Sequence, residues 1–189
     1  MESGLFTVIQ ITLFILISIF LLVFSWRHLH KLKCHGFYRF FAFEGTLTIV
    51  LLNLPFWFRN PLSPIQLVSW TLLFFSIVFL VQGFSSLTKL GGTRGRKEGS
   101  ENFAFENTST LVTDGIYKYI RHSMYSSLLL LSWGALLKDI SIFGILAVLI
   151  TSAFLVVTAK MEERENISFF GSRYELYIKR TKMFIPYLF

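Results

Sequence analysis

The segment SMYSSLLLLSWGALLKDISIFGILAVLITSAFLVVTAKMEERE, residues 123–165, holds two apolar runs separated by one charged pair, Lys138-Asp139. The second run, Ile140 to Ala159, has 20 residues. That suffices for a helix rising about 1.5 Å per residue to cross a hydrocarbon core of about 30 Å. The first, Ser123 to Leu137, has 15 residues and is read here as extending back through Tyr117 to Ile120. With almost no loop at Lys138-Asp139, the two runs predict an antiparallel helical hairpin whose open ends are neighbours.

Working outward, three more spans appear. Leu5 to Trp26 is free of charge over 22 residues; Phe37 to Trp57 is interrupted by Glu44 and Asn53; Pro64 to Leu87 carries no charge. Glu2 precedes the first run and Arg27, Lys31 and Lys33 follow it, the reverse of a secretory signal, so this helix is expected to stay attached. The predicted fold is all-α: one integral membrane domain, residues 1–189, with about five transmembrane helices. Residues 1–110 supply three helices and a loop, and residues 111–189 the hairpin and an amphipathic tail.

The composition agrees with a membrane-embedded chain: 53% apolar, 17% aromatic, mean hydropathy +0.60, with 22 Phe. It excludes a disordered segment or a disulfide scaffold, and the lone Cys34 has no partner for an internal disulfide. Of the 18 Lys and Arg, only Arg59 and Lys138 fall in the second and fourth connections; the other 16 share the first loop, the third loop and the tail. Cytoplasmic loops retain basic residues, which predicts an external amino terminus and a cytoplasmic carboxyl terminus. The net charge of +7 then reflects topology and contact with the lipid bilayer's anionic headgroups, and nucleic acid is not an expected partner.

The connection Thr88 to Val112 contains Gly91, Gly92, Gly95 and Gly99 with mixed charge and reads as a cytoplasmic loop. It lacks the spacing and the preceding strand of a phosphate loop. Asn107-Thr108-Ser109 and Asn166-Ile167-Ser168 match glycosylation acceptors but fall on the predicted cytoplasmic side and are expected to stay unmodified.

At the open end of the hairpin, Tyr117, Tyr119, Arg121, His122 and Tyr125 face Lys160, Glu162, Glu163, Arg164 and Glu165. Interfacial anchoring accounts for basic and tyrosine residues at such a place, and a solvated helix end for the acids. The density of both signs directly after an apolar span also suits a small ligand bearing both charges.

The arrangement resembles a known family. Leu111-Val112-Thr113-Asp114-Gly115-Ile116-Tyr117-Lys118-Tyr119-Ile120-Arg121-His122-Ser123-Met124-Tyr125 is similar to the Gly-Pro-Tyr-x-x-x-Arg-His-Pro-x-Tyr segment of the isoprenylcysteine carboxyl methyltransferase and phospholipid methyltransferase superfamily. Glu162-Glu163, then Phe169-Phe170-Gly171, Tyr174, Tyr177 and Phe184-Ile185-Pro186, resembles its acidic pair and carboxyl-terminal tail. The resemblance implies a membrane methyltransferase that holds S-adenosylmethionine at the cytoplasmic end of the hairpin, with the tail from Phe169 to Lys182 closing over it. The implied cofactor-binding residues are Leu111, Val112, Tyr117, His122, Ser123, Met124, Tyr125 and Glu162.

The implied acceptor is lipid-like, the carboxylate of a prenylated cysteine being one candidate. A carboxylate is already ionised at neutral pH and needs no general base, whereas an amine must lose a proton, for which Glu163 is the nearest candidate base. Arg121 either holds an acceptor's anionic group or anchors its helix. Ile116 and Ser123 stand where the family pattern has Pro. Thr158 stands where the prenylcysteine enzymes carry an Arg facing the acceptor, with Lys160 nearby as a substitute.

Two polar features lie outside these motifs. Glu44, inside the second span, is expected to make an internal helix contact, to pair with Arg39, or to line an acceptor tunnel. His28, His30, Cys34 and His35 crowd the first loop, but repulsion among Arg27, Lys31 and Lys33 disfavours a metal there. A membrane reductase using NADPH and a non-catalytic lipid or partner platform are the competing functions.

Overall fold

The computed structural model describes residues 2–30, 34–92 and 108–188. Among the described residues six helices form: α1 (Glu2–Leu29), α2 (His35–Leu52), α3 (Pro64–Leu90), α4 (Ser123–Leu136), α5 (Ile142–Phe170) and α6 (Ser172–Arg180). Tight 3-10 turns occupy Leu54–Phe56 and Gly115–Lys118. No strand forms among the described residues; an isolated parallel bridge joins Ile120 to Lys182.

Local chemistry sets the boundaries. The Ser63 hydroxyl accepts from the Gln66 amide at 3.4 Å, and Pro64 occupies the first turn of α3, where its missing N–H costs nothing. Ser141 does the same for the Gly144 amide at 3.1 Å and opens α5. The second span was expected to run to Trp57; α2 stops at Leu52, and Pro55 sits in the 3-10 turn that follows.

Among the described residues, three helices are long and apolar enough to cross a membrane: α1 from Phe6, α3 and α5. α4, with 14 residues, is about 21 Å long at 1.5 Å per residue. The extension of this span back through Tyr117 to Ile120 is corrected: Gly115 has φ 64°, Gly115–Lys118 is a 3-10 turn, and Ile120 pairs with Lys182, so α4 begins at Ser123. α5 continues past Ala159 to Phe170, and its final turns carry Glu162, Glu163 and Glu165 on helical backbone.

α4 lies chiefly along α3, and α5 along α2, while α4 and α5 touch as the two arms of the hairpin. The α3–α4 seam is built from small residues. Ser69 donates to the Gly134 carbonyl at 2.7 Å, Ser76 to the Ser127 carbonyl at 2.8 Å and, from the other side, Ser123 to the Phe79 carbonyl at 2.8 Å. Small side chains let the helices approach, and the hydroxyls find acceptors where no water is at hand.

The α2–α5 contact is antiparallel. Its α2 face is His35, Arg39, Ala42, Thr46 and Ile49, all buried and spaced by four and three residues. Ala42 packs in one cluster with Tyr125, Leu155 and Ala159; Ile49 packs in another with Val148 and Ala135. A Cβ at Gly45 would meet the Thr151 hydroxyl at 2.1 Å, so only glycine fits there. Glu44 lies off this face and accepts from the Ser18 hydroxyl of α1 at 2.7 Å, an internal helix contact.

Candidate active site

The site is assembled at the end of the bundle where α3 and α5 finish and α4 begins. The carboxyl-terminal segment docks beside the start of α4: the Arg121 amide donates to the Lys182 carbonyl at 3.0 Å, the His122 amide to the Met183 carbonyl at 3.2 Å, and the Lys182 amide to the Tyr119 carbonyl at 3.0 Å. The Ser126 hydroxyl donates to the Phe184 carbonyl at 2.8 Å, and Phe184 is almost wholly buried.

A cleft opens between these elements. Its apolar wall is Leu87, Leu111, Val112 and Met124, its aromatic wall Tyr117, Tyr125, Phe170, Tyr174 and Tyr177, and its polar groups Thr108, Arg121, His122, Glu162 and Asn166. Seven of the eight residues expected to hold a cofactor therefore line one cavity. The eighth, Ser123, lies apart from them, fully buried in the α3–α4 seam with its hydroxyl bonded to the Phe79 carbonyl.

The acidic pair divides its work. Glu163 forms an ion pair with Arg121 and meets His122 Nε2 at 3.2 Å. Arg121 Nη1 also donates to the Thr181 carbonyl at 2.8 Å, so its guanidinium ties α5, the start of α4 and the tail together. Glu162 lines the cleft, with its Oε2 3.8 Å from His122 Nδ1 and its carboxylate in contact with Tyr125. The His122 ring stacks on Tyr125 with centroids 5.6 Å apart.

α6 supplies one wall of the cleft. Tyr174 and Tyr177 are buried on its inner face. The Tyr177 hydroxyl donates to the Tyr117 carbonyl at 2.8 Å, and Asn166 Nδ2 donates to the Tyr174 hydroxyl at 3.5 Å. Burial pushes both phenols above their ordinary pKa, and for Tyr174 the nearby Glu162 charge adds to it, so both stay protonated donors.

Three lining residues are not among those the sequence assigns to the site. Asn166 follows Glu162 by four residues and so shares its helix face, a signal present in the sequence. Leu87 and Thr108 are brought in by the chain's return to the end of α3, where the Thr110 amide bonds the Gly91 carbonyl at 3.0 Å. Lys160 is exposed and Thr158 fully buried, its hydroxyl bonded to the Phe154 carbonyl at 2.7 Å. The histidine-rich first loop is dispersed: His30 bonds the Trp26 carbonyl, while His35 is taken by Glu165.

The donor set suits S-adenosylmethionine: a carboxylate for its ammonium, hydrogen-bond donors for its carboxylate, and aromatic and apolar faces for the sulfonium and adenine. Helices of membrane length with a polar cleft at one end of the bundle are compatible with a membrane protein. The sequence model of the phospholipid methyltransferase family matches residues 64–173, more than half of the chain, and the chain belongs to that family.

Among curated proteins it is similar to methanethiol S-methyltransferase 2 of Bradyrhizobium diazoefficiens, 32% identical over 74 residues, 39% of this chain and 28% of that one. Methanethiol S-methyltransferase 1 of the same organism is 31% identical over 72 residues, 38% and 25% of the two chains. The enzyme of Pseudomonas deceptionensis is 26% identical over 73 residues, 39% and 27%. The matched region thus spans about a quarter of the length of these relatives. No solved structure matches.

Proposed function

We propose that the protein transfers a methyl group from S-adenosylmethionine to a lipid-like acceptor that reaches the cleft from the bilayer. The observation that carries this reading is the convergence of Glu162, His122, Tyr125 and the tyrosines of α6 on one cavity, largely within the family-matched region. The cofactor supplies an electrophilic methyl on a sulfonium. Glu162 meets its ammonium, His122 and Tyr125 its polar end, and Tyr117 with Leu111, Val112 and Met124 its adenosine. Arg121 and Glu163 hold His122 and the tail in place, and α6 excludes water from the cleft.

The topology of this reading has five spans, an external amino terminus and the cleft on the cytoplasmic side, following the distribution of Lys and Arg. The amino-terminal three helices form the acceptor side, and residues 111–189 the cofactor side. A second reading of the acceptor, a small thiol in place of a prenylcysteine carboxylate, is favoured by the names of the relatives and by Thr158 in place of an arginine. Calorimetry on the detergent-solubilised protein tests the function: S-adenosylmethionine should bind and NADPH should not. Binding of NADPH alone would favour a reductase, and binding of neither a non-catalytic platform.

A further inference from the structure

On α2, 130 residues from its partner in sequence, His35 is fully buried and its Nδ1 lies 2.7 Å from Glu165 Oε2. The His35 backbone amide also donates to Glu165 Oε1 at 3.2 Å, so one carboxylate fixes both the ring and the start of the helix. An ionised carboxylate only accepts, so the proton of a neutral His35 resides on Nδ1 and the lone pair on Nε2. Nε2 is buried and has no hydrogen-bond partner among the described residues.

Neither member of the dyad is among the residues that line the cleft, and its link to the cleft runs through Glu162. In the antiparallel α2–α5 register His35 stands level with Glu165, and Arg39, one turn deeper on the same buried face, stands near the level of Glu162. Glu162 is common to both regions, lining the cleft while the charges of His35 and Arg39 bear on it. Glu163, by contrast, is committed to Arg121 and His122 and does not line the cleft.

We propose that the α2 side of Glu162 receives the acceptor's reacting end, that the acceptor is a thiol, and that His35 Nε2 is the general base that takes its proton, with Glu165 as the positioning residue. This rests on the methyltransferase reading above. A carboxylate acceptor gives a buried, carboxylate-oriented imidazole nothing to do, whereas a thiol is mostly protonated at neutral pH. Arg39 favours an acceptor that becomes anionic over an amine that arrives cationic. As the acceptor sulfur attacks the methyl carbon, its S–H proton passes to His35 Nε2 and a new S–C bond forms. The methyl–sulfonium bond breaks, its electron pair stays on the leaving sulfur, and the proton then returns to water.

Burial pushes the His35 pKa down, but the Glu165 hydrogen bond and the Glu162 charge outweigh it, leaving a base somewhat stronger than an ordinary histidine.

The experiment compares the parent, His35→Gln and Glu165→Gln with two probes: ethanethiol, protonated at neutral pH, and 4-nitrothiophenol, already ionised. His35→Gln should lower kcat/KM for ethanethiol about 10²- to 10⁴-fold and leave 4-nitrothiophenol within about 3-fold. In Glu165→Gln, the acid limb of the ethanethiol profile should move to lower pH, because the group that raises the His35 pKa is gone. Nitrogen NMR of histidine-labelled protein should show His35 as the Nδ1–H tautomer, and calorimetry should show unchanged cofactor affinity in both variants.

Equal losses on both probes with intact cofactor binding would make His35 structural and overturn the inference. So would an Nε2–H tautomer, or a parent that binds cofactor but methylates neither thiol. A parent that does not bind S-adenosylmethionine would overturn the methyltransferase reading itself, and this inference with it.

Discussion

The hydroxyl of Tyr177 donates to the carbonyl of Tyr117 at 2.8 Å, joining α6 to the 3-10 turn that forms the opposite lip of the cleft. Tyr177→Phe keeps the ring and strands a buried acceptor. It should cost about 1–3 kcal/mol of local stability. Hydrogen exchange should show faster opening of residues 172–184 with little change in α3 or α5, and calorimetry a weaker hold on the cofactor.

Glu162→Gln preserves shape and removes the charge assigned to the cofactor ammonium. A charge-assisted contact of about 1.5–3 kcal/mol corresponds to a loss of about 10- to 150-fold in affinity. Glu175→Gln, on the exposed face of α6, is the control and should bind as the parent does. Equal affinities for parent and Glu162→Gln would overturn the assignment of Glu162 to the cofactor ammonium.

The His35–Glu165 pair gives a signed pH dependence. His35 is raised above its ordinary value, so its contribution to stability is full below about pH 6.5 and is lost as pH rises through the folded-state pKa. Thermal unfolding of the parent and Glu165→Gln in the same detergent should therefore differ more at about pH 6 than at about pH 9. A gap that widens with pH would contradict the pairing.

The other end of the bundle carries a clamp of a different kind. Lys138 Nζ lies 3.3 Å from the Trp70 ring centroid and 5.7 Å from that of Trp57, and Gln66 donates to the Lys138 carbonyl at 3.0 Å. A double-mutant cycle between Lys138→Met and Trp70→Leu should return a coupling of about 0.5–2 kcal/mol, measured by denaturation in micelles.

Cysteine accessibility tests the topology. Replacements at the exposed Arg173 and Asn60 should label from opposite faces, the first from the cytoplasm, while the native Cys34 is buried and should stay silent. Gly95, the other natural probe site, lies outside the described residues. Labelling of positions 60 and 173 from one face would break the five-span reading.

What the sequence made legible follows from how local each signal was. The hairpin was visible because Lys138-Asp139 interrupts one long apolar stretch, and most of the cleft because two short motifs flank it. The start of α4 was misread because Tyr117 to Ile120 has the composition of an interfacial helix. Its conformation is set by the positive φ of Gly115 and by pairing with Lys182, 62 residues away. Ser123 was assigned to the site by its place in a motif, while its hydroxyl answers to a carbonyl on α3. His35 was hidden for the same reason: its neighbours in sequence are a crowded basic loop in which a metal is disfavoured, and its partner stands 130 residues on.

The close approach of Gly45 to Thr151 has a consequence for how the chain chooses among its own alternatives. Slipping α5 by one turn, about 5.4 Å, would carry Glu165 from His35 to the level of Arg39 and still match acid with base. Charge alone is degenerate between the two alignments. The slipped alignment would press the larger Leu155 toward Gly45, where even the present neighbour leaves no room for a methyl group. A residue with no side chain, deep among the helices, thus selects which ion pair forms where α2 begins.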